Sequence, residues 1–397
     1  MFTLFVIGLV SCGNDDVAEI TVTAPAEYQF ERSGANTVSF SGQTTRIMMA
    51  EELVSAMSDF DQSVESLNEM YANMDALGND VAPFLQDVLN ISTKSVRSKV
   101  AASEDLFNTN SVESLAIKSQ FEDWMQAQIN EVATNKDILA NPGVAGQIAD
   151  GTKTRFINAN GLEYNQAVAK SLIGGLMLDQ IVNNYLSITV LDDKDNRAEN
   201  DNEITEEAQS YTTMEHKWDE AFGYFGVPTD LTVANFDTKL DAGEVRYHGK
   251  YAGVGQDAGL NTVGKVMNEF IKGRFGISNN DYTMRDQAAS QLRAEWEMVI
   301  ATTAIHYLNE AQSNFSDETL RNHELSEALA FIMSLNYNSD KLMSSTEINT
   351  ILEYFKETPT GAPNAVFSLL NVTNQNINDA KDMISAAYGL NSVKDLL

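Results

Sequence analysis

Apolar residues recur at helical spacing along most of the chain. From Thr44 onward they fall three, four or six positions apart, at Ile47, Leu53, Met57, Phe60, Val64 and Leu67. Residues spaced in this way share one face of an α-helix. The same pattern predicts further helices at about 112–134, 162–188, 204–223, 260–274, 282–313, 317–337, 345–357 and 376–388. The chain is therefore predicted to be mainly helical.

A different pattern precedes the first helix. Tyr28 and Phe30 alternate with polar residues, as do Val38 and Phe40, and residues 33–36 (SGAN) supply turn-forming side chains between the two stretches. Period-two alternation around such a turn predicts a small β-hairpin. The sequence predicts no other strand. The six prolines lie at the edges of the periodic blocks or between them, at 25, 83, 142, 228, 359 and 363. This arrangement favours helical bundles.

A glycine-rich stretch at 241–264 divides the helical pattern. We predict a first bundle with the hairpin over 28–226, a connector over 227–259 and a second bundle over 260–397. The glycines follow a GxGxxxG spacing with no strand before them, which disfavours a dinucleotide site. Arg246 and His248 lie in this loop-like stretch, so it is either a plain connection or a lid whose Arg246 and His248 bind a ligand.

The composition excludes one broad class of function. The 397 residues contain 26 Lys+Arg and 57 Asp+Glu, which gives a formal charge of -31 at pH 7. A chain of this charge repels the phosphates of nucleic acids. Cations and partners with basic surfaces are the expected ligands.

The N-terminal residues resemble the leader of an exported lipoprotein. Residues 2–10 form an apolar run of the length of a signal-peptide core, too short to span a bilayer. Leu9-Val10-Ser11-Cys12 looks like a bacterial lipobox, although no Lys or Arg precedes the apolar run. We therefore predict a signal peptide over 1–11, lipidation of Cys12, a tether over 12–27, and anchoring to the outer membrane or cell surface.

Three of the four histidines share one short motif. His-x-x-x-Glu-Ala occurs at His216/Glu220, at His306/Glu310 and at His323/Glu327. Four residues apart on a helix, the two side chains approach to about 5–6 Å at Cβ. That distance suits either a hydrogen-bonded pair that stabilises the helix or two ligands to one metal ion. The sequence leaves both interpretations open, and repetition of the motif indicates duplicated halves.

Four segments carry a resemblance to a known group. Residues 214–226 (MEHKWDEAFGYFG), 42–53, 293–311 and 321–337 look like an uncharacterised family of Bacteroidota lipoproteins that is similar to imelysin-like and iron-regulated protein A proteins. The resemblance implies two helical bundles related by duplication, display on the outer membrane, and a link to iron or another metal-bearing nutrient. The imelysin motif is Gly-x-His-x-x-Glu, and no stretch of this chain matches it strictly.

These observations lead to one functional hypothesis and two alternatives. We expect a surface lipoprotein that binds iron, zinc or a metal-bearing ligand through the histidine–glutamate pairs, with a TonB-dependent outer-membrane receptor as a partner. The first alternative is a metallopeptidase-like hydrolase that uses the same residues. The second is a passive structural or adhesion lipoprotein in which the histidines only pack.

Overall fold

The protein folds mainly as α-helices. The structure, a computed structural model, describes residues 23–357 and 366–397, so the predicted signal peptide and Cys12 lie outside the described residues. Helices account for 57% of the chain, which confirms the predicted fold class. No helix in the two described ranges is both long enough and apolar enough to cross a membrane.

The fifteen α-helices of the described chain include those that the apolar pattern predicts and five, at 87–90, 188–191, 196–201, 236–241 and 248–257, that it does not predict. In chain order they are α1 (Ser41–Ala56), α2 (Val64–Ala72), α3 (Asp87–Asn90), α4 (Val112–Ala127), α5 (Tyr164–Leu172), α6 (Ile188–Leu191), α7 (Asn196–Asp201), α8 (Thr213–Phe225), α9 (Phe236–Asp241), α10 (His248–Asp257), α11 (Thr262–Ser278), α12 (Tyr282–Ser313), α13 (Glu318–Ser334), α14 (Ser345–Glu353) and α15 (Asn374–Tyr388). The helix predicted at 204–223 begins late because Thr212 caps α8, accepting a hydrogen bond from the N–H of Glu215.

Two antiparallel strand pairs accompany the helices. The predicted N-terminal hairpin is present as β1 (Glu31–Arg32) and β2 (Ala35–Asn36). The expectation that no other strand follows is wrong, because β3 (Gly146–Asp150) pairs with β4 (Lys153–Ile157). Gly151, at φ 55°, allows the tight turn between them. An Asp-Gly turn with short alternating flanks was the missed signal.

The apolar helix predicted at 162–188 changes its winding along its length. It begins as α5 and continues as two π-helical segments, Ile173–Leu178 and Ile181–Tyr185. Gly174 lets this element approach α13 closely, because a Cβ there would lie 2.4 Å from the hydroxyl oxygen of Ser334. π-helical turns, which contain more residues than α-helical turns, frequently occur at functional sites.

The predicted glycine-rich loop at 241–264 is largely helical. Residues 248–257 form α10, whose glycines serve close packing and not flexibility. A Cβ on Gly249 would lie 2.6 Å from Val227, and a Cβ on Gly253 would lie 2.8 Å from Phe236. The loop-like interpretation was wrong because it treated glycine as a breaker where the neighbouring side chains require its small size.

The buried apolar side chains form one cluster that runs from Tyr28 to Leu397. Within it, α12 packs against α11 and α13, and α13 packs against α5. A buried ion-pair group ties the hairpin to the helices: Glu215 on α8 pairs with Arg32 of β1 at 2.9 Å and with Arg274 of α11 at 2.9 Å, and Arg274 also bonds Asp219 at 3.1 Å. The division into two duplicated bundles joined by 227–259 stays a prediction.

Candidate metal centre

A group of charged side chains collects on α13, around His323. Asp317 caps this helix by accepting hydrogen bonds from the N–H groups of Thr319 and Leu320. Helical spacing then brings His323, Glu324 and Glu327 together. One ligand atom from each lies within 4.8 Å of the other two. In the described part of the chain, these residues form the one such group of three.

His323 meets carboxylates from its own helix and from another element. Its Nδ1 lies 3.1 Å from Glu163 Oε1, and its Nε2 lies 3.5 Å from Glu327 Oε1. Glu163 precedes the first residue of α5 and is fixed there because its N–H donates to the hydroxyl of Ser326 at 3.0 Å. The imidazole is thus held between the N-terminus of α5 and the next turn of α13.

Arg155 on β4 also contacts the imidazole of His323. Its Nη1 lies 2.7 Å from the same Nδ1 that approaches Glu163. Nδ1 cannot accept a hydrogen bond from Arg155 and donate one to Glu163 at the same time. Burial and Arg155 lower the pKa of His323, but the hydrogen bond and charge of Glu163 together with Glu327 leave it raised. Relative to a free imidazole, the protonated form of the ring is therefore stabilised.

Glu327 is almost fully buried and carries its own cation. Lys170 on α5 pairs with its Oε1 at 3.2 Å, and the phenol rings of Tyr251 and Tyr307 adjoin this pair. Burial alone would lower the pKa of Lys170, but Tyr251 and Glu327 raise it above its ordinary value. Lys170 therefore stays charged beside Glu327.

Glu324 differs from its neighbours because it lacks a cationic partner. It makes no hydrogen bond or ion pair within the two described ranges. Burial, with the charges of Glu327 and Glu310, raises its pKa to about 7, against the smaller opposing effect of His323 and Arg155. Its carboxyl group is partly exposed, so an ion arriving from solvent can reach it.

The arrangement leaves an excess of negative charge. Five carboxylates (Asp150, Glu163, Glu310, Glu324 and Glu327) face two permanent cations (Arg155, which pairs with Asp150 at 2.8 Å, and Lys170), so the group carries a charge of -3 when the five are ionised and the imidazole is neutral. Imidazole nitrogen with carboxylate oxygen is a donor set that suits zinc and iron. Ligand atoms around a tetrahedral zinc lie about 3.3 Å apart, so the three side chains need to move inward by about 1 Å. The residues present fit a divalent ion.

The structure places the His216/Glu220 pair in a different environment. His216 Nδ1 lies 3.0 Å from the carbonyl oxygen of Ser39, and the ring stacks on Tyr211. Glu220 accepts hydrogen bonds from Gln43 and Lys217, at 2.9 and 3.1 Å. Both side chains therefore have partners of their own, and the pair meets no third ligand-type side chain in the described part of the chain.

The remaining predicted site residues are dispersed. His306 packs edge-to-face on the ring of Tyr307, while Glu310, one turn further along α12, lies near Glu324. His248 is fully buried against Trp296, and burial lowers its pKa to about 3. Arg246 pairs with Glu51 at 2.7 Å. None of His216, His306 and His248 joins the group around His323.

Sequence reasoning missed most of the surroundings of His323. Arg155, Glu163 and Lys170 come from β4 and α5, more than 150 positions before it, so no local spacing connects them. Glu324 was missed although it directly follows His323. Its signal was its position beside a histidine with a carboxylate one turn later, within a segment that is otherwise apolar.

Two of the three comparisons with known proteins returned nothing. The model of a family described as "Domain of unknown function (DUF4856)" matches residues 25–391. No curated protein and no solved structure matches the chain.

Proposed function

The chain belongs to the DUF4856 family, and we propose, from its lipobox-like residues 9–12, that it is an exported lipoprotein and, from the geometry around His323, that it binds a divalent metal ion. The observation that carries this proposal is the convergence of His323, Glu324 and Glu327 within 4.8 Å, with Glu324 in no ion pair within residues 23–357 and 366–397. A divalent ion would neutralise two of the three excess negative charges. Glu163 would hold Nδ1 of the imidazole and leave Nε2 free as the ligand.

Iron and zinc are the metals that this donor set supports best. Calcium and magnesium prefer sites built of oxygen atoms alone, whereas an imidazole with carboxylates suits zinc and iron(II). The proposed role is acquisition of such a metal, or of a ligand that carries it. The relation to imelysin-like proteins and a TonB-dependent receptor partner belong to the same proposal and rest on the sequence resemblance.

Metal binding is tested by elemental analysis and titration of the purified protein. We expect one equivalent of zinc or iron(II), and a loss of affinity of at least about tenfold in His323→Ala, because one ligand of three is removed. His306→Ala is the matched control, since His306 also begins a His-x-x-x-Glu-Ala motif but lies outside the group. Equal affinity in the two variants contradicts the proposal, as does absence of binding in the unmodified protein.

The membrane anchor is tested separately. Acyl chains on Cys12 would hold the mature protein at the membrane, because the predicted signal peptide is removed by cleavage. Cys12→Ser is therefore expected to move the protein from the membrane fraction to the soluble fraction. Membrane retention of a Cys12→Ser protein with a cleaved signal excludes the lipid anchor without affecting the metal site.

A further inference from the structure

A cavity lies between α4, α5 and α13, away from the charged group around His323. Its volume is about 280 Å³. Its lining is mostly apolar and aromatic and includes Ile117, Phe121, Trp124, Ser171, Met333 and Tyr337, with Glu113, Ala116 and Gln120 of α4 completing it. Pockets of this composition, with few polar groups, are typical of sites for small molecules.

The hydroxyl group of Ser171 is the unusual feature of this cavity. Ser171 is only 3% exposed, and its Oγ makes no hydrogen bond to any residue in the described ranges. A buried serine on a helix normally bonds the carbonyl four residues earlier. Ser326 and Ser334 on α13 do so, at 2.7 and 2.8 Å. A buried hydroxyl without a partner costs stability unless a ligand or solvent satisfies it.

The winding of the neighbouring helix shapes the cavity. Ser171 lies just before the π-helical segment Ile173–Leu178, in which Gly175 faces two lining residues. A Cβ on Gly175 would lie 3.4 Å from the hydroxyl of Tyr337 and 3.6 Å from the ring of Phe121. The two aromatic side chains therefore rest on glycine backbone, and Ser171 supplies the polar group beside them.

The lining also indicates the charge of the ligand. Its one ionisable carboxylate is Glu113, which is exposed at the rim, and no lysine or arginine lines the cavity. An anion would meet a chain of formal charge -31 with no countercharge. An apolar cavity of about 150 Å³ holds benzene, so this larger one accommodates a substituted ring.

We propose that this cavity binds a neutral aromatic molecule whose single hydroxyl or N–H group pairs with Ser171 Oγ. The rings of Phe121 and Trp124, which meet edge-to-face at 5.9 Å, would contact the aromatic part. The site is separate from the proposed metal centre and does not depend on it.

Two fluorinated probes of equal shape test this site. 4-Fluorophenol and 4-fluorotoluene differ by a hydroxyl in place of a methyl group, and ¹⁹F NMR measures the binding of each at millimolar concentration. We expect both to bind saturably. In Ser171→Ala the preference for the phenol, expressed as the ratio of the two dissociation constants, should fall about three- to tenfold, since one hydrogen bond is lost.

A rim substitution provides the control for location. Ala116 lines the cavity and is exposed, so Ala116→Trp is expected to block both probes without disturbing the core. Ser171→Ala should fold normally, because it removes an unsatisfied hydroxyl. Absence of saturable binding, an unchanged ratio in Ser171→Ala, or undiminished binding in Ala116→Trp would each overturn the proposal.

Discussion

Replacing Glu324 with glutamine should stabilise the metal-free protein while weakening metal binding. Burial and the nearby Glu327 and Glu310 raise the pKa of the Glu324 carboxyl from 4.5 to about 7. A carboxyl whose pKa is raised by folding favours the folded state while it is protonated. That contribution is present below pH 4.5 and is lost as the pH rises through about 7.

The magnitude follows from the shift. Moving from 4.5 to about 7 is 2.5 pKa units, and at about 1.36 kcal/mol per unit this sets an upper bound of about 3.4 kcal/mol. The side chain is partly exposed, so solvent screening reduces the effect to about 1–2 kcal/mol. Glu324→Gln cannot ionise, and the variant should exceed the unmodified protein in stability by this amount at pH 8.

The assay is urea unfolding at pH 5 and at pH 8 with a chelator present, monitored by circular dichroism. The stability difference should be present at pH 8 and much smaller at pH 5, where Glu324 stays protonated in the folded state and the pH is only about half a unit above its ordinary pKa of 4.5 in the unfolded chain. Glu207→Gln, at an exposed position in a loop, controls for loss of one negative charge and should change little at either pH. A Glu324→Gln protein that is no more stable than the unmodified protein at pH 8 would refute the reasoning.

Three further predictions test the site and the core. Zinc affinity should increase by up to about tenfold from pH 6 to pH 7, because ligands with raised pKa values must release protons to bind metal, and calorimetry in buffers of different ionisation enthalpy would detect that release. Arg274→Met should cost about 3–5 kcal/mol of unfolding free energy, since it leaves the buried Asp219 without its cation and Glu215 with Arg32 alone; exposed Arg197→Met should cost less than about 1 kcal/mol. Gly273→Ala should lower stability by about 1–3 kcal/mol, because its Cβ would lie 2.0 Å from the ring of Trp218, whereas Gly42→Ala meets only the flexible end of a lysine. A thermal-melt series on these variants would contradict the packing argument if all four behaved alike.

The apolar pattern predicted helices well where one face is buried and the other is polar. The prediction of 282–313 coincides with α12, and that of 317–337 includes all of α13. It failed where tertiary packing reverses a local preference. The sequence predicted a loop at Gly249 and Gly253. Both lie in helix α10, where bulky neighbouring side chains leave no room for a Cβ. It also missed the π-helical winding after α5, since a buried helix is apolar on every side and its sequence records no preferred face.

From the sequence, the charged site could be predicted only for side chains that lie on the same helix. All three His-x-x-x-Glu-Ala copies were expected to bring a histidine and a glutamate to one helix face, but their chemistry depends on what other elements add. Near His216, a backbone carbonyl from Ser39 and the amide of Gln43 occupy the polar atoms.

Near His323, by contrast, the neighbouring elements bring more carboxylate than cation. Glu163 arrives from the start of α5, and Glu324 and Glu310 add charge that Arg155 and Lys170 do not balance. The same six-residue motif therefore forms a fully hydrogen-bonded pair around His216, whereas around His323 it is part of a negatively charged group that has room for a cation. Local spacing determines which side chains can meet, and the long-range topology of β4, α5, α12 and α13 determines whether they can bind a metal.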